Sequence, residues 1–157
     1  KQTGVAGVLM AEPAAGLLSN DDCRAFSSVH VRRIVEAVQD ESFTVILHNC
    51  GNTGHCTPAM LATGAGGYHF GNRADMVEAL RMCPDEVPVM GNIDPVAVLK
   101  QAVPEQVYAE TFALLERTAD FPNFILSTGC DVSPHTPIEN IEAFYRALEQ
   151  YNERFSS

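Results

Sequence analysis

Short apolar runs alternate with longer amphipathic stretches along this chain. The runs are continuously hydrophobic, as expected for strands buried on both faces, and span residues 5–10, 43–48, 66–70, 87–90 and 124–128. Between them, apolar residues recur at helical spacing. This alternation predicts a parallel α/β sheet whose crossovers are right-handed.

The amphipathic stretches are predicted to form helices within residues 21–40, 74–83, 105–119 and 139–151. In the first, the apolar residues expected near one face are Phe26, Val29, Ile34, Val35 and Val38. The last has a start signal, since Thr136 and Glu139 form a capping box with Pro137 at the first helical position.

Composition narrows the class of protein. With 157 residues, 46% of them hydrophobic, the chain can bury one core, so residues 1–157 are interpreted as a single domain. The formal charge of −10 and the absence of basic clusters argue against nucleic acid and anionic membrane as partners. No apolar run approaches the roughly 18 residues of a membrane span.

Five scattered cysteines favour reduced thiols and a cytoplasmic location. The first residue is Lys1, as expected of a processed or excised piece.

Polar and sulfur-containing residues cluster where the predicted strands end. In parallel α/β folds, chemistry is carried out at the carboxyl ends of strands. The candidates found there are Glu12, His48, Cys50, His69, Asn92, Asp94 and Cys130.

The stretch "HNC" suggests a metal site. His48 and Cys50 are two residues apart at a strand end, so both side chains can enter one cavity. If the strand that leads to Cys130 lies next to theirs, one imidazole and two thiolates would meet, a donor set that suits Zn²⁺ and leaves a fourth position open. Cys50 and Cys56 are too far apart for a CxxC redox pair, and "GNTG" lacks the lysine of a P-loop. An open alternative is that His48 and Cys50 are ordinary core residues.

Three segments carry a resemblance to a known family. "VILHNCGNT", "VMGNIDPVAVL" and "FILSTGCDVSPHTPIENIEAF" resemble the uroporphyrinogen decarboxylase superfamily, and most closely its methylcobamide:coenzyme M methyltransferase branch. The resemblance implies a parallel (β/α) barrel of the TIM type, here apparently its C-terminal five βα units. It also implies a His-x-Cys…Cys zinc motif that maps onto His48, Cys50 and Cys130. True decarboxylases of the superfamily have a histidine where Cys130 stands.

The resemblance implies an activity as well. Members of the methyltransferase branch move a methyl group from methylcobalamin, carried by a corrinoid protein, to a small-molecule thiol such as coenzyme M. The alternatives are a decarboxylase-like enzyme without metal, and a non-catalytic truncated barrel that binds a corrinoid protein or another subunit. Because five strands are expected of a barrel that has eight, we expect the isolated chain to be poorly active. We also expect it to form a homo-oligomer or to be completed by a missing N-terminal segment.

Four further residues receive roles. Glu12, in the family's "EP" motif, is a candidate catalytic acid or fourth ligand, with an exposed loop carboxylate as the alternative. Asn92, Asp94 and His69 are candidates for substrate binding. For Asp94 the alternative is a turn cap, and for His69 a hydrogen-bonded structural histidine.

Overall fold

Five parallel strands form one sheet, in the order in which they occur in the chain. The computed structural model describes residues 1–52 and 54–155. Its strands are β1 (Gly7–Ala11), β2 (Thr44–Asn49), β3 (Gly67–Phe70), β4 (Val89–Ile93) and β5 (Phe124–Thr128). Its α-helices are α1 (Asn20–Cys23), α2 (Val29–Val38), α3 (Thr57–Leu61), α4 (Met76–Met82), α5 (Pro104–Arg117) and α6 (Ile138–Glu153). A 3₁₀ turn (Pro13–Leu17) and a π-helical turn (Arg24–Ser28) complete the described elements. None of the helices described is long and apolar enough to cross a membrane.

The strand order confirms the predicted fold class. Doubly wound sheets reverse their strand order at a switch point, which places helices on both faces. Here the order runs from β1 to β5 without reversal, so successive right-handed crossovers place their helices on one face. This is the arrangement of part of a (β/α) barrel. Among the described residues, β1 and β5 form the two edges of the sheet.

The two faces of the sheet differ in what covers them. The outer face packs against the helices and forms the main core, in which Val45, Leu47 and Phe70 are at most 1% exposed. The opposite side chains form what we call the inner face: Leu9, Ile46, His48, His69, Met90, Ile125 and Ser127. Strand register supports this assignment, because His48, His69, Met90 and Ile125 are successive partners across four strands.

The fourth strand lies later in the chain than predicted. The apolar pattern suggested residues 87–90, whereas β4 runs from Val89 to Ile93. Pro88 has no N–H to donate, so the ladder to β5 begins one residue later. The strand then continues through Gly91 and Asn92, whose polar or small side chains hid it from a hydrophobicity pattern.

The first predicted helix is interrupted by the π-helical turn. A π turn adds a residue, which rotates the face that follows by roughly 100°. The predicted apolar face is therefore wrong in part: Phe26 and Ile34 are 70% and 46% exposed, whereas Val31 and Val35 are buried. The turn also buries Ser28, whose hydroxyl donates to the carbonyl of Ala59 at 2.7 Å.

The predicted capping box of the last helix does not form. Helix α6 begins at Ile138 without a side-chain cap. Thr136 donates instead to the carbonyl of Ser133 at 2.8 Å. The start of the helix is held by Asn140, whose amide donates to the carbonyls of Leu99 and Ala102, both at 2.8 Å. A tertiary contact thus holds the start of this helix in place of the capping box predicted from the local sequence.

Candidate metal centre

Three of the predicted site residues converge at the carboxyl ends of the strands. The ligand atoms of His48, Cys50 and Cys130 all lie within 4.8 Å of one another. His48 is buried and the two thiols are partly exposed, so a small molecule can approach from one side. The structure therefore brings together the set that the sequence suggested as metal ligands.

The strands that supply these ligands are not neighbours, and on this point the sequence interpretation is wrong. Strands β3 and β4 lie between β2 and β5. Three strand spacings correspond to about 14 Å in a flat sheet. Curvature of the sheet and the reach of the loops close that distance.

Two glycines permit the closure. A Cβ on Gly71 would lie 2.5 Å from the carbonyl oxygen of Cys50, and a Cβ on Gly129 would lie 2.3 Å from the backbone nitrogen of Asn72. The loop after β3 thus packs directly on the Cys50 loop and on the loop that carries Cys130. Any side chain at either glycine would force these segments apart.

The imidazole of His48 is oriented as a metal ligand would be. Its Nδ1 lies 3.1 Å from the backbone carbonyl oxygen of His69, which can only accept a hydrogen bond. Its Nε2 is buried and has no hydrogen-bond partner among the described residues. A buried polar atom without a partner is costly, and ligation of a cation would satisfy it. The residues present therefore fit a metal ion of the zinc type, for which one imidazole and two thiolates are suitable donors.

The electrostatics of the site follow from burial. Burial raises the pKa of the Cys50 thiol, and the neighbouring Cys130 thiol raises it further. Burial also lowers the pKa of His69 to about 4, with His48 adding to the effect, so this ring is neutral near pH 7. A cation at the site would oppose the rise in the pKa of the Cys50 thiol, because it stabilises the thiolate.

His69 is largely enclosed by its neighbours, and its contact with substrate stays a prediction. It is 7% exposed, and both ring nitrogens have partners: Nδ1 lies 2.7 Å from Nδ1 of His48, and Nε2 lies 3.1 Å from the hydroxyl oxygen of Ser127. The two imidazoles meet edge to face, with ring centroids 4.6 Å apart. The same residues line a cavity of about 310 Å³ that also includes Leu9, Cys130 and Val132.

Glu12 lies beside the ligand cluster and is not part of it. Its backbone N–H donates to the carbonyl of His48 at 2.9 Å, which places it next to the strand end that carries the imidazole. Its carboxylate accepts a hydrogen bond from Ser27 at 2.7 Å. Glu12 and Ser27 line a separate cavity of about 380 Å³, and the catalytic role of Glu12 stays a prediction.

Asn92 and Asp94 line a different cleft. That cleft, of about 400 Å³, also includes Arg73, Glu110 and Arg117. Asn92 donates to the carbonyls of Gly71 and Ala74 at 3.0 and 2.6 Å, which ties β4 to the loop after β3.

Asp94 caps the turn that follows it. Its carboxylate accepts from the backbone N–H groups of Val96 and Ala97, both at 2.8 Å, and from the amide of Asn72 at 2.5 Å. The hydrogen bonds of Asn92 and Asp94 thus support the site, and their contact with substrate stays a prediction.

Ser127 and Ser27 each contact a predicted site residue and were missed from the sequence. Ser127 occupies an inner-face position in β5, where a hydroxyl interrupts an apolar run. That interruption is the signal that could have identified it. Ser27 lies in the π-helical turn, for which the sequence carries no comparable signal.

The remaining cysteines permit a test of the site by chemical labelling. Cys23, Cys56 and Cys83 are at most 6% exposed, whereas Cys50 and Cys130 are partly exposed. Burial raises the pKa of Cys56 and of Cys83 to about 11, so few of these thiols are ionised at pH 8. At pH 8 we expect iodoacetamide to modify Cys50 and Cys130 first, and added zinc to protect both. Mapping by mass spectrometry measures this, and equally fast labelling of the three buried thiols in folded protein would contradict it.

Comparisons with known proteins place this site in a family context. The family model for uroporphyrinogen decarboxylase (URO-D) matches residues 2–151. The methylcobamide:CoM methyltransferase MtbA of Methanosarcina mazei is 26% identical over 152 residues, covering 96% of this chain and 43% of that protein. A uroporphyrinogen decarboxylase of Synechococcus is 31% identical over 159 residues, covering 99% of this chain and 44% of that protein.

A solved structure supports the fold. A methyltransferase from Methanosarcina mazei superposes with a TM-score of 0.82 at 23% identity, covering 96% of this chain and 44% of that one. The chain therefore spans less than half the length of the relatives that it matches.

Proposed function

This chain belongs to the uroporphyrinogen decarboxylase family, and from that premise we propose that it is part of a zinc-dependent methyltransferase. The reaction would move a methyl group from a methylated corrinoid protein to a small-molecule thiol such as coenzyme M. The observation that carries the proposal is the convergence of His48, Cys50 and Cys130, with Nε2 of His48 buried and without a partner in the described part of the chain. Relatives named as methylcobamide:CoM methyltransferases supply the class of donor and acceptor.

The chain's own residues would bind and orient. His48, Cys50 and Cys130 would hold the zinc ion at the carboxyl ends of strands β2 and β5. When bound, zinc lowers the pKa of a thiol ligand, so that a thiolate is available near neutral pH. Leu9 and Val132 line the adjoining cavity and would contact the acceptor beside the metal.

Glu12 is proposed as the acid beside the site. Its backbone contact to His48 keeps the residue beside the strand end that carries the imidazole. Ser27 donates a hydrogen bond to one carboxylate oxygen, so the other would be available for proton transfer. Proton transfer by a positioned carboxylate typically contributes about 10²–10⁴-fold in rate.

A decarboxylase is the second candidate. It is favoured by the 31% identity with the Synechococcus uroporphyrinogen decarboxylase, which exceeds the 26% identity with MtbA of Methanosarcina mazei. The two candidates differ in their use of metal. A decarboxylase-like site has no use for two thiols and an imidazole that converge within 4.8 Å.

The deciding experiment measures product with the purified protein, methylcobalamin and coenzyme M. We expect the methyl thioether, detected by mass spectrometry, to form in the presence of zinc and to be lost on chelation or in Cys130→Ser. Uroporphyrinogen is offered in parallel, with the decarboxylated porphyrinogen as readout. Decarboxylation that survives chelation, without thioether formation, would replace the first candidate by the second.

A further inference from the structure

We propose that His69 is a positioning residue, which with Ser127 fixes the ring tautomer of His48 so that Nε2 presents its lone pair to the metal. The inference deepens the proposed function and rests on it in one respect, namely that zinc is the ion bound. It assigns His69 a role other than the substrate contact expected from the sequence. The residues involved lie on three strands: His48 on β2, His69 on β3 and Ser127 on β5.

Three contacts define the arrangement. Nδ1 of His48 lies 2.7 Å from Nδ1 of His69 and 3.1 Å from the carbonyl oxygen of His69. Nε2 of His69 lies 3.1 Å from the hydroxyl oxygen of Ser127. Since β4 lies between β3 and β5, the His69 ring crosses over that strand to reach Ser127. Both imidazoles are buried, at 4% and 7% exposure, so water does not replace these partners.

One placement of protons satisfies all three contacts. Two Nδ1 atoms at 2.7 Å share one proton, and the carbonyl oxygen beside His48 can only accept. The proton therefore belongs to Nδ1 of His48, which donates to His69. The neutral His69 ring then carries its own proton on Nε2 and donates it to Ser127. Nε2 of His48 is left with a free lone pair, and it is the atom that has no partner among the described residues.

The ring of His69 gives Nδ1 of His48 a shorter hydrogen bond than the backbone carbonyl does, and so fixes the tautomer more strongly. A neutral histidine in water populates both tautomers, and only the one protonated at Nδ1 ligates through Nε2. The carbonyl is at 3.1 Å, a longer contact than the 2.7 Å to the ring nitrogen. Partners of this kind hold ligand orientation, and their loss typically costs about 10–100-fold in metal affinity.

Two substitutions at the same position test the proposal. His69→Leu removes the acceptor at a similar volume, and we expect zinc affinity, measured by competition with a chelator, to fall about 10–100-fold. His69→Asn places an amide oxygen where Nδ1 stood, and its affinity should stay within a few-fold of the parent. Ser127→Ala removes only the outer link and should have a smaller effect than His69→Leu. Circular dichroism confirms that each variant is folded before it is compared.

A second readout needs no metal. Long-range ¹H–¹⁵N correlation spectra of the metal-free protein report the tautomer of His48, which should be protonated at Nδ1 in the parent and in His69→Asn. In His69→Leu the tautomer protonated at Nε2 should appear. A His48 that keeps the Nδ1 proton in His69→Leu, or unchanged zinc affinity in that folded variant, would overturn the proposal. If the parent binds no zinc at all, the proposed function fails, while the spectra still decide the role of His69.

Discussion

Cys130→Ser is expected to abolish stoichiometric zinc binding. The parent protein should hold about one zinc ion per chain, because three ligands converge within 4.8 Å. Loss of outer partners alone costs about 10–100-fold in affinity, so loss of a ligand should cost more than about 100-fold. Because zinc would link the ends of β2 and β5, chelation should also lower the melting temperature of the parent and leave that of the variant unchanged. Elemental analysis and thermal unfolding measure the two effects.

Cys83→Ser is the matched control. It makes the same chemical change in a buried thiol of the main core, outside the ligand cluster, and should retain its zinc. The assignment would be wrong if a Cys50→Ser, Cys130→Ser double variant kept its zinc. It would be wrong too if all variants, including Cys83→Ser, lost zinc equally, because metal binding would then report only on folding.

The second large effect is association of the protein through its inner face. When produced as the 157-residue chain, the protein is expected to associate in a concentration-dependent way at micromolar concentration. On the inner face Leu9 and Ile125 are 52% and 47% exposed, and β1 and β5 are free edges among the described residues.

The size of the inner face sets the expected strength of association. Five strands of about five residues span roughly 24 by 17 Å. If half of this area on each of two partners is apolar, its burial contributes about 10 kcal/mol. The cost of association is about 4–15 kcal/mol, so the balance predicts weak association, with pairing of strand edges adding to it. Light scattering over a range of concentrations measures the result.

Substitutions at two leucines, one on the inner face and one outside it, test this prediction. Leu9→Glu places a charge on the inner face and should shift the protein towards monomer. Leu17→Glu alters a side chain that is 85% exposed in the 3₁₀ turn, outside the strands that form that face, and should leave association unchanged. A monodisperse monomer that unfolds cooperatively would contradict the expectation. Association that responds to Leu17→Glu and ignores Leu9→Glu would place the contact elsewhere.

Much of the fold and of the candidate site was predictable from the sequence. Buried parallel strands carry continuous apolar runs, so each of the five described strands was found. β1 and β4 start two residues later than predicted, and the other three start within one residue of the prediction. The spacing of His48 and Cys50 at a strand end indicated ligands in one cavity, and this rests on the two-residue period of a strand.

Errors arose where a local signal competed with a tertiary contact. Thr136 could cap α6, yet Asn140 holds that helix through the carbonyls of Leu99 and Ala102. The π turn shifted the buried face of α2, because packing of Ser28 against Ala59 outweighs regular helical spacing.

The sequence by itself determined which side chains stand at the ends of the strands, since strand periodicity is a local property. Only the tertiary structure decided which of those ends meet. Cys130 reaches Cys50 across two intervening strands because the sheet curves and because Gly71 and Gly129 let three loops pack backbone to backbone. The same curvature carries His69 over β4 to Ser127 and turns its imidazole from solvent towards His48. No pattern along the chain encodes that curvature, because it results from the packing of all the helices on one face of the sheet.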